Sequence, residues 1–162
     1  MNISKVIFEM IDYYTDDIKR INHFLKVYAY AKTIGEMEAL DERTQEILEV
    51  SAVVHDIGIK VSEEKYDSSA GHYQQIEGPI VAKPLLYKLG YDEEFINRVL
   101  YLIAHHHTYN IIDGLDYQIL VEADFLVNFH EDETSKDTIK NVLNKIFKTK
   151  SGIEILHRCF LT

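Results

Sequence analysis

Residues 41–57, DERTQEILEVSAVVHDI, decide how this chain folds. The stretch opens on Asp41, a short acceptor suited to capping a helix N-terminus. It then carries Ile47, Leu48, Val50, Ala52, Val53 and Val54, and its second half is apolar almost all round. A helix buried on every side reads this way. Working outward, Val6, Ile7, Met10, Ile11 and Tyr14 recur at the spacing of one helix face, and from Ile21 the pattern resumes through His23, Val27, Tyr30 or Ala31, Ile34 and Met37. Downstream, residues 60–71 (KVSEEKYDSSAG) are polar and read as the one long loop. Glu77 then opens a helix with Pro79 in its first turn, ending at Gly90. Asp92 caps a helix that carries Phe95, Ile96, Val99, Leu102 and Ile103 into the triple histidine 105–107. A very apolar helix covers about Leu115 to Phe129, and Thr138 to Phe147 and Ile153 to Phe160 finish the chain. No segment alternates at period two, so the expectation is an all-α, single-domain helical bundle.

Composition narrows the function classes. At 162 residues the chain has the size of one domain, with 46% apolar and 27% charged residues. A net charge of −10 argues against nucleic-acid binding driven by Lys and Arg, and against an anionic membrane surface. No apolar run approaches the length of a bilayer span. The N-terminal MNISKVIFEMIDYY lacks the basic-then-apolar order of a secretory signal. The single cysteine, Cys159, cannot form an internal disulfide, which suits a reducing, cytoplasmic compartment. A small anionic substrate stays compatible with an acidic protein that binds a divalent cation, because the ion dominates its local field.

Three features point to one site. His23 shares a helical face with Val27 and Ile34, His55 and Asp56 close the buried helix, and Asp124 is embedded in ILVEADFLVNF, the most hydrophobic helix of the chain. A carboxylate in such surroundings must be paired, hydrogen-bonded or bound to a cation. Each feature alone has a plainer reading: a core histidine, a chance dipeptide, or a carboxylate on a solvent-facing stripe with Glu122 and Asn128. Together, two imidazoles and two carboxylates suit a divalent transition metal with positions left for water and substrate. Three adjacent histidines sweep about 200° of helix arc, so His105, His106 and His107 cannot all face one point.

The order His, His-Asp, Asp, carried by NHFLKVYAYA, VVHDIGIK, IAHHH and LVEADFLVN, resembles the HD-domain superfamily of metal-dependent phosphohydrolases. The resemblance spans Asn22 to Asn128, roughly two thirds of the chain, and sets a motif-bearing core of 22–128 with helical extensions inside one domain of 1–162. It implies a helical bundle of the HD-domain type around a divalent metal (Mn, Fe, Ni, Co, Zn or Mg), with His23, His55, Asp56 and Asp124 as ligands. It further implies hydrolysis of a phosphate ester in a small phosphorylated metabolite, with nucleotides foremost. Asp56 and Lys60 would be catalytic, and Lys60, His72, His106 and His107, together with Arg98, would be available to hold phosphate.

Where relatives read HDIGK, Ile59 intervenes here and the lysine is Lys60. Two-metal members carry a further histidine where QQIEG places Gln74, with His72 two residues earlier, so one metal is favoured over two. The GYP signature of cyclic-dinucleotide phosphodiesterases is absent from IIDGLDYQIL. Tyr109, Asn110 and Tyr117 are candidates to line a base or sugar pocket. The alternative is a metal-stabilised binding or regulatory module without catalysis. No strong nucleic-acid or membrane partner is expected, and the sequence leaves the oligomeric state open.

Overall fold

In the computed structural model, which describes residues 2–162, nine helices account for the regular structure and no strand occurs among the described residues. They are α1 (Ile3–Tyr13), α2 (Ile18–Met37), α3 (Glu42–Val54), α4 (Ile59–Tyr66), α5 (Gly71–Lys88), α6 (Glu93–His105), α7 (Leu115–Glu131), α8 (Lys136–Lys145) and α9 (Lys150–Phe160). Met1 of the expected 1–162 domain lies outside the described residues. The all-α expectation holds. The caps read from sequence also hold: the Asp41 side chain accepts from Thr44 N at 2.9 Å, and Asp92 from Phe95 N at 2.9 Å. Gly90 takes φ +87°, closing α5 with Gly90 N–H on Tyr87 O and Tyr91 N–H on Leu86 O, the paired bonds of a Schellman ending.

The bundle is organised around α2, α3 and α7. Helix α2 packs on α3 and α7, α3 also meets α6, and α5 lies between α4 and α6. Helix α7 is central: Tyr117, Ile119, Leu120, Val121, Ala123 and Leu126 are buried around its circumference. Its strong apolarity thus follows from being covered on several sides.

Two segment readings need correction. Residues 60–71 are not one loop, because α4 occupies Ile59–Tyr66 and only residues 67–70 are irregular. Helix α4 lacks a broad apolar face and is held by polar contacts, one local and the others tertiary. Ser62 Oγ donates to Gly58 O at 2.7 Å, Arg20 bonds Glu63, and Lys65 and Tyr66 both reach Glu77. Helix α5 begins at Gly71 rather than at Glu77, with Pro79 and Pro84 inside it. Its first turns carry buried Gln74 and Glu77, whose side chains are satisfied by Ser69 O and by Lys65 and Tyr66. Glu77 therefore sits mid-helix in a structural ion pair, not at a helix start.

Helix α3 stops at Val54, so His55, Asp56, Ile57 and Gly58 form a turn before α4. Two tyrosines at the end of α1 and just past it hold that turn: Tyr14 Oη donates to Asp56 O at 2.6 Å and Tyr13 Oη to Ile57 O at 3.2 Å. On the other side, a Cβ at Gly58 would stand 2.6 Å from Gln74 O and 2.7 Å from Gly78 N. Glycine is required there by the close approach of α5, and the turn is clamped from both flanks.

Candidate metal centre

Four donor atoms from separate parts of the bundle converge where this turn meets α2 and α7. Nε2 of His23 and Nε2 of His55 are 3.3 Å apart. Asp56 Oδ2 is 3.2 Å from each, and Asp124 Oδ1 is 3.3 Å from the first and 3.4 Å from the second. Donors about 2.1 Å from a shared divalent ion stand about 3.0 Å apart at right angles and about 3.4 Å apart at tetrahedral angles. The edges among His23, His55 and Asp56 therefore fit a single ion, and Asp124 Oδ1 stands beside both imidazole nitrogens as a further donor. Asp124 Oδ1 supplies an independent sign: it is buried and accepts no well-formed hydrogen bond from any group of the protein. A buried carboxylate oxygen without a donor is costly unless a cation meets it.

The far side of each imidazole is occupied. His55 Nδ1 lies 2.7 Å from Ala52 O, His106 Nδ1 lies 2.8 Å from Ile103 O, and His23 Nδ1 lies 2.9 Å from Glu131 Oε2. Against acceptors, each Nδ1 must carry the proton, which leaves the Nε2 lone pair for the cluster. His106 Nε2 faces Asp56 Oδ1 at 3.5 Å and is likewise a buried nitrogen without a hydrogen-bond partner.

Electrostatics agree with a cation-seeking site. Burial opposes charge on His23, yet Asp124 and Asp56 beside its ring outweigh it and raise its pKa to about 10. Burial likewise opposes charge on His55, and Asp56 and Asp124 hold it well above the usual imidazole value. Burial would raise both carboxyls, but the imidazoles hold Asp56 and Asp124 well below the usual carboxylate range. Two Nε2 atoms 3.3 Å apart cannot both carry a proton toward each other, so the cluster has room for one shared positive charge.

The cluster forms the floor of a cleft of about 530 Å³, with His23, Asp56 and Asp124 among its lining residues. Of the residues expected to hold substrate, His107 lines this cleft, with Nε2 3.4 Å from Gln74 Oε1. Burial, with His106 adding to it, lowers the His107 pKa to about 4, so its ring is neutral at pH 7. His106 is fully buried behind Asp56 rather than in the cleft, and His105 turns away to stack on Tyr101.

Lys60 does not reach the cleft. Its ammonium donates to Tyr13 O at 3.2 Å and lies 4.9 Å from the centre of the Tyr13 ring. The inserted Ile59 takes the cleft-facing position, and one further residue turns the lysine by about 100° toward α1. His72 is exposed and packs on Tyr73, outside the cleft lining. Arg98 is bound to Asp113 and Asp116, and Tyr117 is buried with its hydroxyl donating to His105 O at 2.7 Å, so both serve the scaffold. Glu122 is buried in a hydrogen-bond network at the start of α9 and not on a solvent-facing stripe.

Several residues at the site escape a reading by sequence. Glu131 behind His23, and Lys19 and Arg20 in the cleft wall, are polar residues whose local sequence carries no burial signal. Positions at helix ends acquire a role only through partners far away in the chain.

Comparison with known proteins gives a consistent result. A model of the HD domain matches residues 20–146. Among solved structures, the chain is similar to one described as a predicted HD superfamily hydrolase from an uncultured Thermotogales bacterium. The sequence identity is 24% and the TM-score 0.66, over 96% of this chain and 82% of that one, a likeness of fold. No curated protein matches.

Proposed function

This chain belongs to the HD-domain family, and on that footing we propose that it is a metal-dependent phosphohydrolase acting on a small phosphorylated metabolite, with nucleotides as the substrate class. The observation that carries the reading is the convergence of His23, His55, Asp56 and Asp124 at 3.2–3.4 Å on the floor of an open cleft. These four residues would hold one divalent ion. When bound, such an ion polarises a phosphoryl oxygen and lowers the pKa of a coordinated water.

The chain's own groups supply the rest. Asp56 places Oδ2 among the donors and Oδ1 toward His106, so its carboxylate is the group positioned to orient an attacking water and take its proton. His107, neutral and tethered to Gln74, contributes a hydrogen-bonding edge in the cleft wall. Lys19, from the first turn of α2, brings positive charge to the same wall and suits an anionic substrate, while Arg20 beside it is paired with Asp17 and Glu63. Tyr14, Phe24, Val53 and Ile59 line the remainder, and the volume falls in the range of sites for compounds of nucleotide size. Lys60 is left out of this scheme.

A non-catalytic, metal-stabilised module would enclose its ion with protein on all sides. The Asp56 and His23 side chains instead keep 18% and 11% of their surface accessible, under the cleft, which supports the enzyme. Elemental analysis of the purified protein, followed by a phosphate-release screen over nucleotides and sugar phosphates, tests the reading. One equivalent of a divalent metal and turnover abolished in Asp56→Ala are expected. Full activity of Asp56→Ala toward every substrate would sink it.

A further inference from the structure

Helix α7 grips both nitrogens of one imidazole. Asp124 Oδ1 is 3.3 Å from His23 Nε2, while Glu131, about two turns further along the same face, places Oε2 2.9 Å from His23 Nδ1. The other two inward-facing imidazoles are oriented differently. His55 and His106, each just past a helix end, place Nδ1 against a carbonyl three residues earlier, Ala52 O in α3 and Ile103 O in α6, so the local backbone sets their rings. His23 lies inside α2, whose carbonyls serve the helix, and its Nδ1 partner comes from 108 residues away. Glu131 is itself fixed from its other oxygen: Oε1 lies 2.9 Å from Lys26 Nζ, three residues after His23 on α2.

We propose that Glu131 is a positioning residue of the metal centre, which accepts a hydrogen bond from His23 Nδ1–H and so presents the Nε2 lone pair to the ion. It touches neither ion nor substrate, and Lys26 keeps it in place. The proposal rests on the metal-centre reading above. A carboxylate behind a histidine ligand fixes both the tautomer and the ring orientation, and losing such a partner weakens metal binding by about 10–100-fold.

The test is Zn²⁺ titration of the full chain against a chromophoric chelator, for the wild type, Glu131→Ala and Glu131→Gln. Thermal unfolding of each metal-free protein serves as the control for folding. Glu131→Ala is expected to bind Zn²⁺ about 10–100-fold more weakly, and Glu131→Gln, which keeps an acceptor oxygen, to recover most of the loss. Zn²⁺ binding by folded Glu131→Ala as tight as the wild type overturns the proposal, and so does a Glu131→Gln protein no better than Glu131→Ala. A wild type that binds no divalent metal removes the metal centre itself, and this inference with it.

Discussion

Glu122 and Asp124 are two carboxylates on one apolar helix, two residues apart and both buried. Two residues turn the helix by about 200°, so they point into different neighbourhoods. Glu122 faces the start of α9 and is fully supplied with protein donors. Lys148 N at 3.0 Å, Thr149 N at 3.1 Å, Thr149 Oγ1 at 2.5 Å and Gln118 Nε2 at 2.6 Å all reach it. Asp124 faces α2 and the turn after α3, where it meets two imidazole nitrogens and no amide donor, and its Oδ1 is left without a hydrogen bond. Burial alone therefore does not distinguish a carboxylate satisfied by protein donors from one left without them. The chemistry of the atoms around it does.

Four experiments would break or sharpen that contrast. The largest effect is expected from Asp124→Asn, which should weaken divalent-metal binding by more than about 1,000-fold, or about 4 kcal/mol, and bring phosphate release to background. Metal content by elemental analysis and a turnover assay check it, and retention of metal would erase the difference between the two carboxylates. Next comes Glu122→Ala, which strands the amides of Lys148 and Thr149, the Thr149 hydroxyl and the Gln118 amide. A loss of about 3 kcal/mol is expected, read as a melting temperature lower by roughly 10 °C, while the surviving folded protein keeps its metal stoichiometry.

The third experiment is a pH series. The metal-free His23 is protonated below about 10, so an ion entering the cluster must displace that proton. Affinity should rise with pH by up to about tenfold per unit for each proton displaced, and flatten once His23 is deprotonated above about 10. Calorimetry in buffers of different ionisation enthalpy counts the protons released. Glu122→Ala should leave the slope unchanged, and a wild-type affinity independent of pH would contradict the arrangement at Asp124. The smallest effect belongs to Lys60→Ala, whose ammonium is engaged by Tyr13. Turnover within about twofold of the wild type is expected, in line with a surface substitution worth under about 0.5 kcal/mol; a collapse of turnover would return Lys60 to the site.

Much of the site was legible because polar residues in apolar helices are conspicuous. His23 on the Val27 and Ile34 face, the His55-Asp56 pair after an apolar run, and Asp124 among Leu120, Phe125 and Val127 each stand out against a periodic background. Helix α4 was not legible, since its contacts to Arg20, Gly58 and Glu77 replace the apolar stripe that periodicity detects. Lys60 points to Tyr13 for a geometric reason: one inserted residue before it changes its direction by about 100°. Glu131 could not be found at all, because a glutamate at a helix end reads as surface charge until α2 is set against it.

By itself, the sequence determined the helical class, the capped and Schellman-closed ends of several helices, and which positions are inside. These follow from local propensity, from the 3.6-residue period and from side chains that bond within a few residues of themselves. Tertiary structure alone decided that Asp124 faces imidazoles and Glu122 faces amides, that His106 lies behind Asp56 while His107 lines the cleft, and that Lys60 looks away. The reason is physical: a helical period reports whether a side chain is buried, whereas its hydrogen-bond partners arrive from helices tens of residues distant, and only the packing of those helices selects which donor meets which acceptor.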